Sequence, residues 1–326
     1  MSTLTEAVYL DSFLAPLSAW LARADITDIY INRPHEIWIE LLEGAIERHE
    51  VPALSQAALL RLARQIAARS AQGINRESPL LAASLPDGSR VQIVLPPATR
   101  GEVAIAIRRH VSSRLPLEAW RTDNSAIGGD GEAASSKVRQ KAHTDPIDEL
   151  RDAVRNRQNI LVSGGTSSGK TTLLNALLLE VPENERLILI EDAPELLLRH
   201  PNAVGLIATR GAMGEADISA EDLLIAALRM RPDRIILGEV RGSEALTFLR
   251  AVNTGHPGSL STIHADSPER AIDQLALLML SAGSNLSFAN AVDYISRSID
   301  LIVQLERGGG QRQIRSIRRI RPRYDT

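Results

Sequence analysis

The 326-residue chain contains no cysteine. Disulfide staples, thiolate metal sites and thiol redox catalysis are therefore excluded. Aromatic residues make up 3%, too few to furnish a stacking path for single-stranded nucleic acid. Lysine is scarce as well. Of 37 basic residues only Lys137, Lys141 and Lys170 are lysines, which asks at each whether a compact point charge is needed where a planar guanidinium would not serve. No stretch approaches the roughly 18–20 apolar residues required to span a bilayer. The short apolar run Phe13–Ala22 follows Glu6 and Asp11, not a positive segment, and reads as an amphipathic helix on Leu14, Leu17 and Leu21, not as a secretory signal. A cytoplasmic protein is expected.

Hydrophobic residues at 44% and charged residues at 24% describe an ordinary globular chain, and the length suggests two domains. The net charge of −3 conceals an asymmetry: the segment from Arg307 to Thr326 carries seven arginines and one acid.

Residues 1–117 read as a small α+β domain. DITDIYINRPHEIWIELLEG alternates apolar and polar positions and predicts two strands around a turn at Asn32–Pro34. Ser55–Ser70 has helical spacing with Ser55 as N-cap. Two further alternating runs, Arg90–Leu95 and Glu102–Arg108, are separated by a Pro-rich turn. Residues 118–146 lack apolar periodicity and read as a flexible linker; Lys137 and Lys141 fall there as solvated charges. From residue 147 to 306, short apolar strands alternate with amphipathic helices, the pattern of a mainly parallel sheet covered on both faces. Residues 307–326 form a basic C-terminal tail, in which Ile314, Ile317 and Ile320 recur every third residue. Two readings of the tail stay open: contact with acidic lipid headgroups or an acidic partner, or a terminal strand with a solvated arginine face.

GGTSSGKT, residues Gly164 to Thr171, fits G-x-x-x-x-G-K-[ST] between a predicted strand and a predicted helix, the setting that a phosphate loop requires. Backbone amides of Gly164, Gly165, Thr166, Ser167, Ser168, Gly169 and Thr172 would converge on phosphate oxygens at a helix N-terminus. Lys170 would reach the β and γ phosphates, and the Thr171 hydroxyl would face Mg²⁺.

In an open parallel sheet, ligands bind beyond the carboxyl ends of the strands. Three more strands end there in ionisable residues: Glu191 with Asp192, Glu239, and His264. Asp233 looks like the acid of a second nucleotide motif but precedes its strand, and five residues at ~3.3 Å place it roughly 16 Å from the edge. Glu239 is therefore expected to activate or orient the attacking water. Glu191 is the candidate for holding Mg²⁺, partly through water, with Asp192 either sharing that role or capping the next turn. His264 is expected to sense the γ phosphate. His256 either contacts nucleotide or braces its loop. His35, His49, His110, His143 and His200 are expected to be structural. Charge on the γ phosphate calls for an imported arginine, often from a neighbouring subunit; Arg90, Arg108 and Arg109 lie on the late strands of the first domain.

GGTSSGKTTLLNAL, LILIEDAPEL, ALRMRPDRIILGEVRGSEA and TGHPGSLSTIHADSPERA resemble, in order and spacing, the four nucleotide motifs of the secretion traffic ATPases. DITDIYINRPHEIWIE and SRVQIVLPPATRGEVAIAIRR resemble the N-terminal domain of the type IV secretion and conjugative DNA-transfer branch. No four-cysteine zinc insertion of the type II branch is present. The resemblance implies a RecA-like P-loop domain preceded by a smaller α+β domain, binding ATP and Mg²⁺ between them. It also implies a homohexameric ring on the cytoplasmic face of a bacterial inner membrane, peripheral to it and partnered by inner-membrane components of the secretion system. Lys170 and Thr171 match the phosphate loop, Glu191 the acidic box, Glu239 the catalytic glutamate, and His264 with His256 the histidine box. Arg90 and Arg108 match first-domain arginines that reach nucleotide. A RecA-like motor acting directly on DNA is the alternative, and a small-molecule kinase is a third class. No sequence-specific nucleic-acid binding is expected.

Overall fold

The computed structural model describes residues 10–42, 44–70, 72–109, 115–120, 145–209, 217–308 and 311–320. The bulk of the expected linker, with Lys137, Lys141, His110 and His143, lies outside them. The chain divides into two units. The first comprises Met1–Ser112, Asp192–Glu195 and Ile207–Ala220, and the second Ser113–Glu191, Leu196–Leu206 and Glu221–Thr326.

The first unit opens with a helical stretch that becomes a 3-10 turn at Ala15–Leu17 and ends in α1 (Ser18–Leu21). Pro16 breaks the continuous helix expected there, because its ring removes a backbone donor; Leu14 and Leu17 are still buried. Strands β1 (Ile26–Ile31), β2 (Glu36–Leu41), β3 (Ile46–Glu50), β4 (Leu80–Ser84), β5 (Arg90–Val94) and β6 (Ala104–Arg108) form one sheet in the order β3-β2-β1-β6-β5-β4, every pair antiparallel. The alternation predicted around Asn32–Pro34 becomes β1 and β2, with Ile29, Ile31, Ile37 and Ile39 all buried. Helix α2 (Gln56–Arg69) begins at Ser55, whose hydroxyl accepts from the Ala58 amide at 3.3 Å, and buries Leu59, Leu62, Ala63, Ile66 and Ala67 in the same core.

The second unit contains α3 (Pro146–Arg155), β7 (Ile160–Gly164), α4 (Lys170–Leu178), β8 (Leu187–Glu191) and β9 (Ala203–Ile207), of which Ile207 clusters with the first unit. It continues with α5 (Ala220–Leu228), of which Ala220 clusters with the first unit, and β10 (Arg234–Leu237). Helix α6 (Glu244–Asn253), β11 (Leu260–Ile263), α7 (Pro268–Ser281), α8 (Phe288–Ser298), β12 (Leu301–Gly308) and β13 (Gln311–Arg319) complete it. The sheet runs β13-β12-β7-β11-β10-β8-β9. Strands β12, β7, β11, β10 and β8 are mutually parallel, and β13 is antiparallel on β12. Alternate residues (Ile160, Val162, Leu187, Leu189, Ile236, Leu301, Val303) pack with α3 and α4 in one cluster. Their neighbours Leu161, Ile188, Ile190, Ile235, Leu237 and Ile302 are equally buried, so both faces are covered, as continuous apolar strands require.

Two boundaries differ from the sequence reading. Leu117 and Trp120, at the junction of the expected first domain and linker, lie in the core of the second unit through the 3-10 turn Leu117–Trp120. The basic tail is in large part β13. Its isoleucines recur every third residue because the β12–β13 register shifts at Gln304/Leu305. An extra residue at this bulge restores the same face to Ile314 and Ile317, and both pack on the core. Three of the described arginines of β13 have acidic partners on this chain: Arg315 with Glu306, Arg318 with Glu269, and Arg319 with Glu149 at 2.7 Å.

Candidate active site

The carboxyl end of β7 runs directly into the loop Gly164–Gly169 and then α4. The turn uses two left-handed residues, Ser167 (φ 59) and Gly169 (φ 96). The Lys170 ammonium donates to the carbonyls of Gly164 at 2.9 Å and Gly165 at 3.2 Å, and the Ser168 hydroxyl donates to Gly165 at 2.9 Å. The lysine thus folds over its own loop and holds it shaped. Its amine also lies 3.9 Å from Glu239 Oε1.

Glu239 follows β10, and its position is braced on both sides. The Thr262 hydroxyl of β11 donates to the Gly238 carbonyl at 2.8 Å, and the Val240 amide donates to the Thr262 carbonyl at 2.9 Å. Beyond it, the buried Glu244 carboxylate accepts the amides of Arg241 at 2.6 Å and Gly242 at 2.7 Å. The turn carrying Glu239 is therefore pinned to the neighbouring strand and to the first turn of α6. Arg241 Nε donates to Glu239 Oε2 at 2.6 Å, so a guanidinium and an ammonium flank one carboxylate.

Glu191 ends β8 and is buried; its Oε1 accepts the Leu196 amide at 2.7 Å. His264 is exposed immediately after β11. The Ala265 carbonyl behind it receives bonds from Ser163 Oγ and Gln304 Nε2, both at 3.2 Å. The phosphate loop, Glu191, Glu239 and His264 thus occupy the carboxyl edge of adjacent strands.

The structure does not bring His256 to that edge. It precedes β11, at the opposite end of the strand from His264, and its Nδ1 lies 3.0 Å from the Pro232 carbonyl that precedes β10. Of the two roles considered, this geometry belongs to a loop brace. The reason is the position of TGHPG before its strand, the same argument that removes Asp233. Asp233 sits at the amino edge and accepts the Arg186 amide at 2.7 Å. In the first unit, Arg90 and Arg108 are paired in register across β5 and β6; Arg90 ion-pairs with Glu195, and Arg109 Nη1 donates to the Ile26 carbonyl at 3.3 Å.

Sequence reasoning missed Thr262, Glu244 and Arg241. Glu244 had a signal, since an acid in the first turn of a helix accepts orphan amides. It also missed Arg312 of β13, whose Nη1 donates to the Thr172 hydroxyl at 3.2 Å; nothing local in the sequence points to that contact.

The type II/IV secretion system protein family model matches residues 13–312. The type IV secretion system protein VirB11 of Bartonella quintana is 36% identical over 337 residues, covering 97% of this chain and 94% of that protein. PtlH of Bordetella pertussis, also a type IV secretion system protein, is 41% identical over 313 residues, covering 93% and 91%. The structure of the ATPase DotB from Legionella pneumophila shares the fold, with a TM-score of 0.59 at 20% identity over 92% of this chain and 76% of that one. With the matched model spanning both units and full-length relatives above one-third identity, the chain belongs to the type II/IV secretion system protein family, in its type IV secretion ATPase branch.

Proposed function

We propose that this chain hydrolyses ATP with Mg²⁺ as one subunit of a homohexameric ring that powers type IV secretion, conjugative transfer or pilus biogenesis. Its place is peripheral, on the cytoplasmic face of a bacterial inner membrane, against inner-membrane components of the machine. The observation that carries the reading is the approach of Lys170 to Glu239 within 3.9 Å at the mouth of a formed phosphate loop. No helix among the described residues is long and apolar enough to cross a membrane, which fits attachment through partners.

The donor set fits Mg²⁺. Among the described residues no group of three or more His, Asp or Glu side chains could hold a metal. Mg²⁺ at nucleotide sites needs only one or two protein oxygens beside phosphates and waters; Thr171 and Glu191 are proposed for it. When bound, the ion neutralises charge on the phosphates. The chain's own groups do the rest. Amides of residues 164–172 orient the phosphates. Lys170 leaves its loop carbonyls for the β and γ phosphate oxygens. Glu239, held by Arg241, orients the attacking water and takes its proton. His264 contacts the γ phosphate, and Arg90 and Arg108 supply further guanidinium charge to the nucleotide.

The test is ADP release from ATP with no phosphoacceptor present, beside the mass of the assembly with and without Mg·ATP. Lys170→Ala should abolish turnover, and chelating the divalent ion should do the same to the wild type. Turnover that survives in Lys170→Ala would refute the site. Acceleration by single-stranded DNA would favour the motor on DNA, which none of the relatives supports.

A further inference from the structure

The C-terminal strand reaches the phosphate loop. In register, Leu305 of β12 lies beside Gly164 of β7, and β12 continues three residues further, to Gly308. At ~3.3 Å per residue this carries the β12–β13 hairpin about 10 Å past the edge of the sheet. Strand β13 then returns, with Arg312 opposite Arg307 and Ile314 opposite Leu305. Arg312 and Ile314 are two apart before the bulge and share a face, the face on which Ile314 packs against the α3–α4 core.

Arg312 therefore lies over the loop. A Cβ built on Gly169 would come within 2.8 Å of Arg312 Cδ and 2.9 Å of Trp120 Cη2. With φ at 96° in addition, glycine is required there for close approach as well as for backbone shape. The guanidinium continues to Thr172 in the first turn of α4, Nη1 to Oγ1 at 3.2 Å. Lys170 turns the other way, towards Gly164, Gly165 and Glu239. Two cations thus bracket the loop: the lysine on the side of the catalytic carboxylate, the arginine on the side of the helix.

We propose that Arg312 is a further nucleotide-binding residue, its guanidinium donating to the α phosphate of ATP and of ADP. This deepens the nucleotide-site reading above and rests on it. First-turn amides of a phosphate-loop helix hold the α and β phosphates, so a guanidinium bonded to the Thr172 hydroxyl stands beside that position. A planar donor suits an ester phosphate that accepts two parallel bonds. Because the α phosphate is present before and after cleavage, Arg312 strengthens binding of both nucleotides without entering the chemical step. The basic hairpin thereby becomes part of the site instead of a solvated tail.

The experiment is equilibrium titration of the full chain with fluorescent N-methylanthraniloyl ADP and ATP, with steady-state hydrolysis alongside. Arg312→Met keeps the aliphatic stem over Gly169 and removes the donors. It should weaken both nucleotides by about 10- to 100-fold, the range for a hydrogen bond to a charged group, and raise KM with kcat little changed. Arg312→Lys should recover a part of the loss. Arg315→Ala, on the same strand and paired with Glu306, should bind as the wild type does, which separates hairpin stability from phosphate contact. Wild-type affinity in Arg312→Met would overturn the assignment, leaving the stem as packing only. An equal loss in Arg315→Ala would overturn it as well. A wild-type protein that binds neither nucleotide would instead sink the nucleotide-site reading, and this inference with it.

Discussion

The two edges of the seven-stranded sheet use the same residue types to opposite ends. At the amino edge, Arg234 is fully buried and clamps Glu185 through two bonds, Nε to Oε2 at 2.7 Å and Nη2 to Oε1 at 2.8 Å. Its remaining nitrogen donates to the Val154 carbonyl at 2.8 Å. Asn159 nearby takes the Gly258 amide at 2.8 Å and gives to the Ser298 carbonyl at 2.9 Å. A Cβ on Gly258 would meet Arg234 Nη1 at 2.7 Å and the Arg157 Cα at 2.9 Å, so the turn, with φ at 79°, tolerates only glycine. At the carboxyl edge, Lys170 and Glu239 keep a looser approach of 3.9 Å and partial exposure. Charges closed upon each other hold a fold together. Charges left partly open to one another can rearrange around a ligand.

Breaking the amino edge should have the largest effect. Arg234→Met leaves the buried Glu185 carboxylate with only the more exposed Arg157, at 3.3 Å, in place of a two-bond clamp, a loss of about 3–5 kcal/mol, or a fall in Tm on the order of 10 °C for a unit of this size. Acid sharpens the test. Hydrogen bonds from Arg234, ahead of the other causes, hold the Glu185 carboxyl below its ordinary range. The pair's contribution is therefore complete above the unfolded carboxylate value of about 4.3. It is lost as pH falls through the lower folded value, because the unfolded chain binds the proton first. Arg234→Met removes the largest of the influences that lower the carboxyl, so acid costs the variant less stability than the wild type. The Tm gap between wild type and variant should narrow from pH 7 to pH 4. A constant gap would show that Glu185 does not carry the effect.

The carboxyl edge should break differently. Glu239→Gln preserves shape and removes the proposed proton acceptor, so hydrolysis should fall at least about 10²-fold, the size of a general-base contribution, while nucleotide still binds and Tm hardly changes. Turnover at the wild-type rate would remove Glu239 from the chemistry. A large drop in Tm would mean that its pairs with Arg241 and Lys170 serve the fold, and the contrast between edges would fail.

How far the sequence exposed this contrast depends on the range of each interaction. Strand ends are local: the apolar run ILVSGG and the loop after it, LILIED and RIILGE each announce which residue falls at the carboxyl edge. The same counting placed Asp233 at the other end. The antiparallel first unit was readable from alternation around Asn32–Pro34 and in Arg90–Val94 for the same reason. Long-range partners were not readable. Arg234 and Glu185 are 49 residues apart, and Arg312 and Thr172 are 140 apart. One arginine among many carries no mark of its partner until strand order is known. The bulge that turns a three-residue isoleucine spacing into a strand face is likewise a property of pairing.

His256 gives the smallest and most discriminating test, because the motif that contains it also supplies His264 at the opposite edge. If placement decides role, the two histidines part company. His256→Ala removes one side-chain hydrogen bond to the Pro232 carbonyl, a contribution of about 1 kcal/mol, or a Tm shift of about 2–4 °C for a unit of this size. Nucleotide affinity of the chain should stay within about two-fold, since a roughly 13 Å strand separates His256 from the phosphate loop's edge. Differential scanning calorimetry and the same fluorescent-nucleotide titration measure both quantities on one sample. Unchanged Tm with a ten-fold loss of affinity would move His256 into the nucleotide site, and would require it to act on a phosphate other than the one held by its own chain.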